Sequence, residues 1–285
     1  MGIRKRRDDS TPTGQALPTV PARYSNHVSD SGLGDDALSK VPAVTLGFWA
    51  VKVLATTLGE TGGDALSMSM GLGYLLSTAI FMAVFVAAVA MQIAADRFKP
   101  GLYWTTIIAS TTVGTTLADF ADRSLGIGYS GGSVFLLALL LLSLFAWHRM
   151  LGSVSVGALR DPRAEMFYWV TIMFSQTLGT ALGDWTADSA GLGYTGAAFV
   201  FGGLLCLVVT AYLWTGVSRT LLFWAAFILT RPFGAVVGDF LDKPAAQGGL
   251  AFSRYTASAV LFGLIVLGVF LQRKHAAHDK HRHAS

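Results

Sequence analysis

The sequence carries little charge for its length. Only 13% of its residues are Asp, Glu, Lys or Arg, whereas 53% are hydrophobic. Soluble domains carry roughly 25% charged residues, so an ordinary water-soluble domain is excluded. The formal net charge of +4 requires no nucleic-acid partner, because Lys and Arg residues in the loops on one side of a membrane protein account for it.

Cysteine is scarce in the whole sequence, and histidine is absent from the interior of the apolar runs. Cys206 is the only cysteine, which excludes a disulfide framework. The six histidines lie in the tails or at the end of an apolar run, so no apolar run offers the imidazole or thiolate ligands that zinc and copper prefer. Ser–His, Cys–His, HExxH and Gly-rich phosphate motifs are absent as well. We therefore predict no enzymatic activity and no cofactor.

Apolar runs, in contrast, are abundant, and about 20 apolar residues suffice for a helix to cross a bilayer. They predict an all-α polytopic membrane protein. Lys and Arg concentrate in the loops on one side, which predicts that both termini are cytoplasmic. Eight spans are expected near 43–62, 72–94, 102–120, 131–147, 165–184, 194–214, 220–239 and 250–271.

One pattern occurs four times without gaps. In each copy a Trp precedes a Gly by ten residues, and that Gly precedes an Asp by five. This periodicity predicts four two-helix repeats in parallel orientation, with a pseudosymmetry axis along the membrane normal. The pattern comprises Trp49, Trp104, Trp169 and Trp224, then Gly59, Gly114, Gly179 and Gly234, then Asp64, Asp119, Asp184 and Asp239.

The predicted organisation has a tail at each end. Residues 1–39 are polar and basic at their start, which predicts a disordered cytoplasmic tail, and residues 273–285 form a basic, His-rich cytoplasmic tail. The four repeats between the tails are assigned to 40–95, 96–150, 151–215 and 216–272.

The repeat resembles that of bacterial membrane-anchored proteins with four tandem two-span repeats of unknown function. The resemblance covers roughly residues 40–272 and is carried by the Trp and the Gly-x4-Asp element. It implies a multi-pass protein of the bacterial inner (cytoplasmic) membrane and supplies no substrate. The fourth copy departs from the others, because Arg231 and Pro232 replace a pair of Thr residues or Gln-Thr.

Each repeated residue type allows more than one role. The aspartates fall at the outer ends of the odd spans, where they either cap loops or converge around a common axis as ion- or proton-binding groups. The glycines either break the helix or allow close helix packing. The tryptophans, close to the inner leaflet, are interpreted as interface anchors.

Two ionisable residues, Lys52 and Glu60, occur only in the first repeat. Glu60 and Asp64 are four residues apart and share a helix face, which makes them the predicted metal ligands. Lys52 lies on the same face and is also assigned to ion or proton binding. A Lys52–Glu60 pair bridged by water, Thr56 or another span is the alternative. Carboxylates, hydroxyls and carbonyls suit Mg²⁺, Ca²⁺, Mn²⁺ or protons.

These residues favour proton-coupled export of a hard divalent cation such as manganese. The stretch ETGGDALS is also loosely similar to the Glu-x-Gly-Asp signature of calcium and manganese exporters, with one extra residue between Glu60 and Asp64. Two alternatives stay open. One is a transporter of a small organic solute or anion, with Lys52 and Arg231 as charge partners, and the other is a non-transporting scaffold or sensor. The expected partners are a divalent cation or proton and the lipid bilayer, and the oligomeric state is left open.

Overall fold

A computed structural model describes the backbone of residues 40–156, 159 and 161–282 and the side chains as far as Lys274. Within that part of the chain every regular element is helical. The predicted tail of residues 1–39 lies outside the described residues, as do residues 283–285. The rest of the predicted C-terminal tail, to Arg282, continues the last helix.

The described residues form eight long helices. Their bounds are α1 Leu46–Asp64, α2 Gly73–Ala94, α3 Pro100–Asp119, α4 Tyr129–Leu151, α5 Pro162–Asp184, α6 Gly193–Trp214, α7 Arg219–Asp242 and α8 Arg254–Arg282.

The odd-numbered helices form a closed ring. Each packs against the next, and α7 packs against α1. Gly59 faces Thr111 and Gly63 faces Thr115, so the contacts ascend together along both helices and the helices run parallel. We call these four the inner helices. Positions along them are counted from the repeat glycine, which is position 0.

The even-numbered helices, the outer helices, surround this ring. Each packs on the inner helix of the following repeat, so α2 covers α3, α4 covers α5, α6 covers α7, and α8 returns to α1. Their outward faces are apolar and exposed, as at Phe135, Phe199 and Leu207. The four repeats are therefore interlocked as one closed unit.

Five helices are long and apolar enough to cross a membrane by length and composition: α2, α4, α6, α7 and α8. The other three contain many Thr and Ser residues. Several of these hydroxyls, including those of Thr57, Thr112 and Thr177, bond the carbonyl oxygen four residues earlier, which satisfies them inside the helix. Helices α1, α3 and α5 contain 19, 20 and 23 residues, or about 28–35 Å. That they also cross stays a prediction.

The repeat glycines serve close packing, since all four inner helices continue through them. A Cβ atom on Gly59 would overlap the Thr111 side chain, and one on Gly179 would overlap Arg231. Gly114 and Gly234 meet Gln176 and Thr56 in the same way. Position 0 of each inner helix thus receives position −3 of the next.

Three repeats end their inner helix in the same way. A π-helical turn follows the aspartate at Ala65–Ser69, Phe120–Ser124 and Trp185–Ser189. A Gly-x-Gly element with positive φ at both glycines then begins the outer helix. In the fourth repeat α7 runs on to Asp242, and a 3-10 turn at Ala245–Gln247 replaces the π turn.

Candidate ion-binding axis

Aromatic rings close one end of the inner-helix ring. Position −11 of each inner helix contacts the Trp at position −10 of the next, as in Phe48–Trp104 and Tyr103–Trp169, with centroids 5.6 and 5.9 Å apart. The hydroxyl oxygens of Tyr103 and Tyr168 lie 2.8 Å apart. We call this the aromatic end. It consists of Phe48, Trp49, Tyr103, Trp104, Tyr168, Trp169, Phe223 and Trp224.

This arrangement corrects the interpretation of the tryptophans. Trp104, Trp169 and Trp224 are only 3–4% exposed, so they do not anchor the chain by contact with lipid. Outer helices cover them: Phe85 packs on Trp169 and Trp147 packs on Trp224. Trp49 is half-buried in the same ring of aromatic residues.

Lys52 lies at position −7, one turn inside the aromatic end. Its side chain is fully buried, and its ammonium nitrogen has no hydrogen-bond partner among the described residues. The nitrogen lies 4.1 Å from the centre of the Phe227 ring, which occupies the same position in α7. No direct contact between Lys52 and Glu60 is therefore present among the described residues.

Glu60 is instead paired with Arg231, near the middle of the axis. Both guanidinium Nη atoms lie 3.1 Å from Glu60 Oε2. Arg231 Nη2 also reaches Thr115 Oγ1 at 2.7 Å and Thr180 Oγ1 at 2.5 Å. Its guanidinium, which is fully buried, thus contacts all three other inner helices.

The other end, which we call the aspartate end, holds the four repeated aspartates. Asp64 accepts a hydrogen bond from Lys243 Nζ at 2.6 Å, and Asp239 lies 3.1 Å from the same nitrogen. Arg254 lies 3.0 Å from Asp242 and 3.7 Å from Asp64. Two cationic side chains therefore lie among three carboxylates.

The remaining two aspartates differ from each other. Asp119 pairs with Arg123 on its own helix at 2.7 Å. Asp184 has no ion pair with any described residue, although it is close enough to Asp119 and Asp239 for their charges to interact. All four repeated aspartates are at most 4% exposed, which sets them apart from carboxylates on solvent-facing loops.

The set of carboxylates that could share a metal ion differs from the predicted pair. Among the described residues, Asp64, Asp239 and Asp242 offer carboxylate oxygens within 4.8 Å of one another. Glu60 is not among them, and its carboxylate pairs with Arg231. The structure retains Asp64 as a candidate ligand and gives Glu60 a different partner.

Sequence reasoning missed Asp242, Lys243 and Arg254 as members of this cluster. Asp242 and Lys243 align with Asp122 and Arg123 of the second copy, which could have identified them. Arg254 lies beyond the aligned segment, so the alignment gave no signal for it. Gln176 was also missed as an axial residue. Its alignment with Thr56, Thr111 and Arg231 at position −3 could have identified it.

Together these features define a helical membrane protein in which four parallel repeats enclose a buried polar axis. The family model described as Repeat of Unknown Function (DUF347) matches residues 47–98, 102–152, 167–218 and 222–276. The chain belongs to this family. No curated protein and no solved structure matches it significantly.

Proposed function

We propose that this protein is an eight-span transporter of the bacterial inner membrane, with both termini cytoplasmic, and that it exports a hard divalent cation such as manganese in exchange for protons. The observation that carries the proposal is the closed ring of parallel inner helices with charged and polar side chains buried along its axis. Ionisable groups inside a membrane protein are costly, at about 2.5–3.5 kcal/mol each on the translocon scale. Such groups mark ion or proton paths in many membrane proteins.

The aspartate end supplies the cation site. Asp64, Asp239 and Asp242 provide three oxygen ligands close enough to meet one ion, and oxygen ligands suit Mn²⁺, Mg²⁺ and Ca²⁺. Lys243 and Arg254 bind the same oxygens. An arriving cation would compete with these side chains, and displacement of Lys243 would couple ion binding to movement of the segment after α7.

Proton coupling follows from the same carboxylates. Carboxylates held close together exchange protons as a group. A proton that enters the cluster neutralises one ligand and weakens its hold on a divalent ion. Release of the ion on one side of the membrane and uptake of protons on that side are thereby linked.

Flux in proteoliposomes tests the proposal. Purified protein is reconstituted with an imposed pH gradient, and entry of Mn²⁺, Mg²⁺ and Ca²⁺ is followed with an indicator dye inside the vesicles. We expect gradient-dependent flux of at least one of these ions in the wild-type protein and at least a tenfold loss in D64N. Asp188 is exposed and outside the cluster, so D188N serves as the matched control and should retain flux.

Two other outcomes would replace the proposal. Flux of a small anion or organic solute that depends on Lys52 instead of Asp64 would favour a solute transporter. Absence of flux for every solute, with Asp→Asn changes that only lower the melting temperature, would favour a scaffold or sensor.

A further inference from the structure

Lys52 presents a buried ammonium group for which the described residues supply no acceptor. Its side chain is fully buried, and its only described contact of note is the face of Phe227. An unpaired ammonium in an apolar interior costs several kcal/mol or more. Lys52 therefore requires a partner that the described residues do not supply.

Further polar groups without partners lie one turn along the axis from Lys52. They belong to positions −3 and −4 of the other three inner helices, and their residues are fully buried. Four of them can donate a hydrogen bond: Thr111 Oγ1, Ser175 Oγ, Gln176 Nε2 and Arg231 Nε. The fifth, Gln176 Oε1, accepts.

The charges of this part of the axis do not balance. With its amine protonated, Lys52 adds a second positive charge to that of Arg231, and Glu60, which pairs with Arg231, contributes one negative charge. The nearest repeated aspartate on α1, Asp64, is twelve residues from Lys52, or about 18 Å along the helix. One negative charge would complete the site.

The neighbouring layers delimit this part of the axis. The aromatic end closes the axis on one side of Lys52, and the Arg231–Glu60 pair crosses it on the other. Ile107 and Ile172 occupy the remaining places in the Lys52 layer and are fully buried. These layers bound the proposed site on both sides.

We propose that the axis holds a site for one small monovalent anion of the size of chloride, bromide or nitrate, between the aromatic end and the Arg231–Glu60 pair, bound by the Lys52 ammonium together with the Thr111 hydroxyl and the Gln176 amide. The site is separate from the cation site at the aspartate end and does not depend on it. It gives the buried ammonium its counter-ion.

Thermal unfolding of the full-length protein in detergent tests this site. Nitrate replaces gluconate, which is too large for the site, at constant ionic strength and pH. We expect the wild-type melting temperature to rise by several degrees as nitrate increases, with saturation. K52M should lose this response while it unfolds cooperatively, at a temperature equal to or above that of the wild-type protein in gluconate. Q176L should weaken the response.

The matched control is Lys274, whose ammonium also lies over an aromatic ring, Phe270 at 5.0 Å, but on an exposed part of α8. K274M should keep the full nitrate response. An equal response in K52M and the wild-type protein would overturn the proposal, and so would the absence of any response in the wild-type protein. Both readouts are independent of cation flux, so failure of this site and failure of the transport proposal are distinguishable.

Discussion

The first and fourth repeats differ from the second and third at the same axial positions. At position −7 the first repeat has Lys52, and at position +1 it has Glu60. At position −3 the fourth has Arg231. The second and third repeats place isoleucine, threonine and glutamine at these positions. At these three positions the first and fourth repeats are charged and the second and third are neutral, and we call them the charged and the neutral repeats. The charged side chains lie across the α1–α7 interface that closes the ring.

The ring accommodates the buried guanidinium of Arg231 through contacts with the neutral repeats. Arg231 is the largest side chain at its position, and Gly179 leaves room for it on α5. The guanidinium then reaches hydroxyls that the neutral repeats supply, those of Thr115 and Thr180. The neutral repeats thus complete the hydrogen bonding of a charge carried by the fourth.

The largest effect is expected where the charged pair is broken. In E60Q, Arg231 keeps a buried charge without its carboxylate, which costs about 3–5 kcal/mol of unfolding free energy. Thr115 occupies the same position in a neutral repeat and bonds the Arg231 guanidinium, and T115V should cost about 1.5–3 kcal/mol. Chemical unfolding in detergent measures both. Equal costs for the two variants would contradict the distinction between charged and neutral repeats.

A steric variant at the neutral side should have an effect similar to that of D64N. G179A places a methyl group against Arg231 and Pro232, and overpacking of this kind costs about 1–3 kcal/mol. Gly203 on α6 has open space around it. G203A should therefore be neutral or slightly stabilising, since Ala favours a helix over Gly by about 1 kcal/mol. A melting temperature unchanged in G179A would show that the close approach is not required.

The aspartates extend the comparison to the far end of the axis. D64N weakens a 2.6 Å bond to Lys243 and should cost about 1.5–3 kcal/mol. Asp184, in the third repeat, has no ion pair with a described residue, so D184N should cost less than D64N. A lower melting temperature for D184N than for D64N would contradict the pairing of Asp64 with Lys243.

The smallest effect is expected at the aromatic end. Y103F removes the hydrogen bond to Tyr168 and should cost about 0.5–1.5 kcal/mol. Tyr255 is 54% exposed, and Y255F provides a control with no expected change. A larger loss in Y255F than in Y103F would argue against the buried hydroxyl pair.

Much of the repeat architecture could be predicted from the sequence because it depends on spacing. Trp, Gly and Asp at fixed intervals indicated four two-helix units, and the structure builds their inner helices parallel. Which residues would pair could not be predicted in this way. Glu60 could have met Lys52, Asp64 or Arg231, and the choice depends on the angle at which α7 meets α1. Burial of the tryptophans was missed because each outer helix covers the next repeat, an arrangement that leaves no local signal.

The claim most in need of a test is that the axis is the path of the ion. Cys206 is exposed on α6, so C206A provides a cysteine-free background, and T180C places one thiol beside Arg231. The measurement is the extent to which the T180C thiol reacts with a small charged methanethiosulfonate reagent in proteoliposomes during cation flux. V200C, on an outer helix, is the control. We expect T180C to react only under flux conditions, and its modification to stop flux. Cation flux that continues while T180C stays unmodified would contradict it.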